Sequence, residues 1–515
     1  MTGNQFRIVR TACRVLAAVL FFSIVPTALA KEPSTAPATQ PGITEHDVTL
    51  DGKIVQYRAT AETLPIKDDD GKETAKFFYI SYEKIAAVGG AGGVAATQPV
   101  ADPARPVTFI FNGGPGSASV WLHMGCVGPR RVVLKDEGMP PSPPYSLTEN
   151  AQSWLDVTDL VIIDPIGTGY SRASDPAKQK DFDSVDGDVQ SVANFIQLYC
   201  TKNQRWLSPK FLSGESYGTT RAAGLSQYLH DRYGIDLNGI ILISTVLNFQ
   251  TLEPGPGNDT PYPLYVPTYT AVAHYHHKLA PDLQADLKQA VAQSRQWAMN
   301  DYATALAKGN SLDDAAREQV VEKLVRFTGL SKDYIERSNL RIEPFRFEKE
   351  LLADQRKIIG RYDGRITGFD EDGLNDHPAF DPSEDGYLGV FTSTFNEYIR
   401  RELKYETDEI YDVFSPRVQN WDFGKKDSYL NVAPTLQHAM AEIPSLKVLV
   451  CCGYYDLATP FAAADYTVNS MSLSRELRSN ITEAYFEGGH MIYLNPAARE
   501  QLKATVREFY RSALP

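Results

Sequence analysis

An apolar run ends in Gly214-Glu215-Ser216-Tyr217-Gly218 and a helical pattern follows at once, a pairing that constrains the fold more than any other feature of the chain. A strand that turns straight into a helix holds its middle residue at a strained backbone angle, and only small neighbours at the flanking positions avoid collision. Gly214 and Gly218 supply that room. Such a turn lifts the Ser216 hydroxyl clear of the sheet edge. The helix behind it aims unpaired N–H groups and its positive dipole end at any charge that develops there.

The surrounding rhythm agrees with a strand-turn-helix unit. Short apolar runs at 107–111, 160–163, 210–213, 239–243 and 446–452 suit strands buried on both faces, and helical patterns stand at 185–200, 218–232 and 496–512. The alternation predicts an α/β fold with a central, mostly parallel sheet covered by helices on both faces. Ahead of it, residues 47–60 alternate around Asp51-Gly52, a two-residue hairpin signal, and 77–82 reads as a further strand. Residues 86–106, rich in Gly, Ala and Pro, read as an exposed loop. The interval 248–443 breaks the rhythm: it is rich in helix formers, as at 283–299 and 312–327, and its acidic segment 363–386 reads as surface loop. An insertion of that size between sheet strands predicts a large, mainly helical cap over their carboxyl ends, where such folds bind ligands. No internal repeat is evident.

The chain of 515 residues opens with Arg7, Arg10 and Arg14, an apolar stretch at 15–25 and then Ala28-Leu29-Ala30, the pattern of a secretory signal cleaved after Ala30. The apolar part is shorter than a bilayer span requires. Cys13 within it lacks the small-residue pattern that marks lipidation. The expected organisation is a signal peptide over 1–30, a linker over 31–45, a core in two parts at 46–247 and 444–515, and the cap between them. Periplasm or exterior is the expected destination, with no membrane anchor after cleavage. A formal net charge of −13 argues against nucleic acid or an anionic membrane as partner. Nothing in the sequence specifies an oligomeric state.

A serine hydroxyl needs a base, usually a histidine oriented by a carboxylate, and behind a turn of this kind the chain order is serine, acid, histidine. Among the histidines after Ser216, His490 is best placed, in the glycine-rich turn Glu487-Gly488-Gly489-His490-Met491 between an apolar strand and the last helix, which is expected to leave its ring exposed. Asp456 follows the strand ending at Cys452 through Gly453-Tyr454-Tyr455, the same strand-end position, so the two turns can meet. Asp465, the rival acid, sits in an Ala-rich helical stretch and is expected to face solvent. An oxyanion needs two N–H donors: Tyr217, the residue after the nucleophile, supplies one, and the glycines of Asn112-Gly113-Gly114-Pro115-Gly116-Ser117 let bare backbone approach for the other.

In these blocks, and in Asp164-Pro165-Ile166-Gly167-Thr168-Gly169-Tyr170-Ser171, the chain resembles the serine carboxypeptidases of the α/β-hydrolase fold, in order and spacing together. The resemblance implies a serine exopeptidase that releases C-terminal residues of a peptide through an acyl-enzyme on Ser216, with Asp456 and His490 completing the triad and no metal or cofactor. It implies that Gly114 and Tyr217 supply the oxyanion N–H groups and that Asn112 and Glu215 hold the substrate's terminal carboxylate, with Gly113 and Met491 also in the substrate site. Two carboxyls share a hydrogen bond only when one is protonated, so Glu215 must carry a raised pKa or work at acidic pH. Two positions depart from the family pattern. Cys126 stands where a second glutamate usually pairs with the first, and Ser117 follows Gly116 where a cysteine is usual, so the family's disulfides do not carry over.

An esterase, acyltransferase or aminopeptidase on the same scaffold would share the triad, and a catalytically silent binding protein would share the fold. Asn112 and Glu215 favour carboxylate recognition. Other residues that attract notice read as structural. His123 suits packing, His274-Tyr275-His276-His277 lies in a Tyr-rich helical stretch, and Asp68-Asp69-Asp70-Gly71 lacks the alternating ligands of a calcium loop. Cys126, Cys200, Cys451 and Cys452 allow three pairings, with Cys451 and Cys452 reading as buried free thiols on a strand.

Overall fold

The computed structural model describes residues 40–68, 70–85, 102, 104–424 and 428–514. The expected signal peptide, the linker up to residue 39 and most of the 86–106 loop lie outside the described residues. Strands β1 (Gly42–Leu50) and β2 (Lys53–Lys67) form the expected hairpin. Asp51 and Gly52 both take positive φ, 49° and 73°, as a two-residue turn of the right twist requires. The sheet continues through β3 (Glu73–Lys84), β4 (Val107–Phe111), β5 (Asp159–Ile163), β6 (Lys210–Glu215), β7 (Gly239–Ile243), β8 (Lys447–Gly453) and β9 (Ile481–Phe486). Their spatial order is β1-β2-β3-β5-β4-β6-β7-β8-β9, with the short pair Arg172–Ala173 added to β3. From β5 to β9 every neighbour is parallel, and the three leading strands are antiparallel. This is the α/β-hydrolase fold.

Side chains of the central strands divide by period two between two cores, which is what a sheet covered on both faces demands. Phe109, Val161, Leu242 and Val450 join one core; Ile110, Ile162, Ile241 and Cys451 join the other. Each such fully buried aliphatic chain contributes on the order of 1.5–3 kcal/mol of transfer free energy. The longer helices are α1 (Val185–Lys202), α2 (Tyr217–Tyr233), α3 (Pro261–Tyr275), α4 (Leu287–Trp297), α5 (Asp314–Thr328), α6 (Pro382–Arg401), α7 (Ala433–Glu442), α8 (Phe461–Ser470) and α9 (Pro496–Ala513). Apolar faces of α1 and α2 belong to the first core, those of α6 and α9 to the second. Helix α7 packs on α2 and α8 packs on α3.

The acidic segment 363–386 departs from expectation. Only its middle, 371–377, is exposed throughout. Asp363 is buried in an ion pair with Arg365 at 2.6 Å, and the segment's end forms the first turn of α6, capped by Asp381. Acidic side chains there answer a buried arginine and a helix N-terminus, so their charge is not a sign of exposure. All four cysteines among the described residues are buried and free.

Candidate active site

Parallel strands of matched register end together. Phe111 lies opposite Gly214, Ile243 opposite both Glu215 and Cys451, and Gly453 opposite Phe486. The loops leaving β4, β6, β8 and β9 therefore share one edge of the sheet. At the end of β6, Ser216 takes φ 59° and ψ −130°, a strained conformation for a residue with a side chain. The flanking glycines make it feasible: a Cβ on Gly214 would stand 2.2 Å from the Gly218 carbonyl oxygen, and one on Gly218 would stand 2.9 Å from that of Phe111. Hydrogen bonds pin the turn, with Ser216 N donating to Ile243 O at 3.0 Å and Thr219 N to Ser216 O at 2.8 Å.

The loop after β4 is laid directly on this turn. A Cβ on Gly113 would lie 2.5 Å from the amide nitrogens of both Tyr217 and Gly218, and Gly114 takes φ 102°. The Tyr217 ring turns away, buried against Trp421 and the Arg221 guanidinium, so that only its backbone faces the site. Asn112 uses both ends of its amide: Nδ2 donates to Glu215 Oε1 at 2.7 Å and Oδ1 accepts from Leu122 N at 3.0 Å. Burial pushes the Glu215 carboxyl up to about 7, although the nearby His490, the Tyr493 hydroxyl and Asn112 pull against it. Cys126 lies close enough for the Glu215 charge to help raise its thiol, after burial.

Asp456 is fully buried and its acceptors are well used. Oδ1 accepts from Ala458 N at 2.8 Å and Thr459 N at 2.9 Å, and Oδ2 accepts from Thr459 Oγ1 at 2.6 Å and from His490 Nδ1 at 2.8 Å. An ionised carboxylate only accepts, so Nδ1 carries the proton and Nε2 keeps its lone pair. Burial alone would lower the imidazole, yet the Asp456 charge and hydrogen bond, with Glu215 adding to them, hold its pKa above the ordinary value. The ring is not exposed as the glycine-rich turn suggested; it is 3 % exposed. Tyr362 covers it, with ring centroids 4.9 Å apart, and the Tyr362 carbonyl accepts from His490 N at 2.5 Å. Gly489 permits this approach, since a Cβ there would meet the same carbonyl at 2.3 Å.

A pocket is lined by Asn112, Gly113, Gly114, Glu215, Ser216, His490 and Met491. Five further residues complete its wall: Ser117, Trp121, Tyr362, Glu384 and Phe414. Sequence reasoning missed these five. Trp121 had only its place after the glycine loop to mark it, and Tyr362, Glu384 and Phe414 come from three pieces of the insertion that carry no motif. Asp465 is corrected on a different ground: it is 2 % exposed, bonded to Tyr485 Oη at 2.7 Å and paired with Arg295 at 2.8 Å, and burial raises its carboxyl to about 6. Its partners in α4 and β9 account for it as a structural acid.

His123 is a packing residue, as its position suggested. It is buried, its Nε2 meets Tyr82 Oη at 2.7 Å, and burial pushes its pKa down to about 3. In the 274–277 tract, His276 Nε2 meets the Gly364 carbonyl at 2.7 Å, and among the described residues only His230, Asp231 and Glu442 cluster closely enough to suggest cation ligands, with two of the three exposed. None of the three lines the cavity.

The family model for serine carboxypeptidase matches residues 69–506. The chain is 32 % identical to Serine carboxypeptidase-like 13 of Arabidopsis thaliana over 27 % of its own length and 31 % of that protein's. It is 22 % identical to Serine carboxypeptidase-like 36 of the same plant, covering 75 % of this chain and 68 % of the relative. Against the Pheromone-processing carboxypeptidase KEX1 of Fusarium vanettenii it is 31 % identical, over 34 % of this chain and 26 % of that one. The first and last of these matches thus span about a third or less of the relatives' own length.

Proposed function

Because the chain belongs to the serine carboxypeptidase family, we propose that it is a serine exopeptidase that removes residues from the C-terminus of peptides. The observation that carries this reading is one cavity holding Ser216, His490 and the Asn112–Glu215 pair, with Asp456 bonded behind the histidine. His490 Nε2 takes the Ser216 proton as Oγ attacks the last peptide carbonyl, and Asp456 stabilises the imidazolium that forms. The oxyanion develops toward the N–H groups of Gly114 and Tyr217. His490 then returns its proton to the leaving amine, and water, deprotonated by the same nitrogen, releases the acyl group from Ser216. Asn112 and a protonated Glu215 bind the terminal carboxylate, which sets the attack one residue from the end.

The cap reading has support from Tyr362, Glu384 and Phe414, all from the insertion and all in the cavity wall. Arg7, Arg10 and Arg14, the apolar stretch and Ala28-Leu29-Ala30 support a secreted or periplasmic bacterial member of the family, and Edman sequencing of the exported protein should begin at Lys31. Among the described residues no helix is long and apolar enough to cross a membrane.

Incubation of a peptide and its C-terminal amide, with Ser216→Ala as control, tests the activity. The acid should be shortened stepwise, the amide far more slowly, and the variant should do neither. Equal cleavage of acid and amide would remove the carboxypeptidase assignment. Failure of the folded wild type to react with a fluorophosphonate would remove the serine mechanism itself.

A further inference from the structure

Residues 361–364 of the insertion touch both loops that carry the base and the acid. Tyr362 O accepts from His490 N at 2.5 Å, Arg361 O accepts from Leu457 N at 3.0 Å, and Gly364 N donates to Tyr455 O at 2.9 Å. The neighbours of Asp456 on either side are therefore tied to the same short stretch as His490. That stretch is anchored in turn on the first turn of α6. Ser383 is fully buried there, and its hydroxyl oxygen accepts from Tyr362 N at 2.9 Å and from Asp363 N at 3.2 Å. Asp381 Oδ1 accepts from Arg361 N at 3.1 Å. Gly360 lets the chain press against the helix, since a Cβ on it would lie 2.5 Å from Ser383 Oγ. On this backing the half-buried Tyr362 ring lies over the imidazole, with 4.9 Å between centroids and 33° between planes.

The bond from His490 Nδ1 to Asp456 fixes the tautomer and one end of the ring. It restrains Nε2, at the far end, only weakly against tilting out of the ring plane. A second ring packed on the face opposes that tilt. The geometry points to Tyr362 as a positioning residue for the triad: its ring holds His490 Nε2 toward the Ser216 hydroxyl, and the clasp at 361–364 keeps the acid and base loops in register. The insertion thus completes the catalytic machinery as well as walling the pocket. This inference rests on the serine mechanism of the reading above and is independent of which end of a peptide is cut.

The test uses the full mature chain with Tyr362→Leu, which removes the flat face, Tyr362→Phe, which keeps it, and Ser383→Ala, which removes the anchor. The probe is diisopropyl fluorophosphate, a small reagent that reports the reactivity of Ser216 without a peptide to bind. Tyr362→Leu should be labelled about tenfold or more slowly than wild type, and its kcat on a blocked peptide should fall by a similar factor. Its KM should stay within about twofold. Tyr362→Phe should recover most of both rates, and Ser383→Ala should fall between. Thermal melting identifies which variants are folded. Should Tyr362→Leu not fold, Ser383→Ala carries the test: slowed labelling supports the clasp and wild-type labelling overturns it. Labelling of folded Tyr362→Leu at the wild-type rate, with only KM raised, would make the ring a substrate contact and overturn the inference. So would a Tyr362→Phe as slow as Tyr362→Leu, because the hydroxyl would then be the active part. A wild type that resists the reagent would overturn the serine mechanism itself, an outcome distinct from these.

Discussion

Glu215 carries the sharpest consequence at the scale of single residues. Its carboxyl, raised to about 7 mainly by burial, is protonated below that pH and can then donate to a substrate carboxylate. As pH rises through this value the group ionises and repels that carboxylate, so kcat/KM for a peptide acid should fall above about pH 7 while that for the amide should not. A parallel pH series on both substrates checks this. The raised imidazole of His490 sets the opposite limb, since it must be neutral to accept a proton, and both substrates should lose activity together on acidification. Thr459 is a positioning residue, bonded to Asp456 Oδ2 through its hydroxyl. Thr459→Val removes that donor and leaves two backbone donors, which should lower kcat by about tenfold with the KM little changed. Steady-state kinetics, with fluorophosphonate labelling at the same sites, separates this from unfolding.

Among the elements, the turn between β6 and α2 is the least tolerant of change. A methyl group on Gly214 would meet backbone oxygen at 2.2 Å, and no side chain can yield there. Gly214→Ala should therefore destabilise the chain by about 3 kcal/mol or more, read as a lowered thermal midpoint, or prevent folding. This turn was legible in the sequence because its constraint is local: five consecutive residues specify it. The central strands were legible for a similar reason, their continuous apolar runs reflecting burial on both faces. His490 and Asp456 were found because each follows a readable strand. Tyr362, which covers the imidazole, was not, because its hydrogen bond with His490 joins segments more than a hundred residues apart. The misread exposure of His490 and Asp465 has one cause: burial depends on what the insertion and neighbouring helices place over a residue, and no local pattern records it.

At the scale of the whole molecule, the described residues rest on two packed cores with no covalent bridge among them. Cys126, Cys200, Cys451 and Cys452 are all buried and free, and burial raises each thiol above its ordinary pKa. A thiol of this kind is unreactive while the fold persists. The signal-cleaved protein should show almost no reaction with a thiol reagent in buffer and four equivalents in denaturant, and reductant should leave its melting temperature unchanged. Loss of stability on reduction would contradict the free-thiol arrangement. The triad also has a temporal meaning. Its serine precedes the inserted helices by sequence while its carboxylate and imidazole lie within the last sixty residues, in the loops that leave β8 and β9. Under the proposed function, a nascent or partly threaded polypeptide thus has no working proteolytic centre, and the hazard of self-digestion is deferred until the final strands have docked.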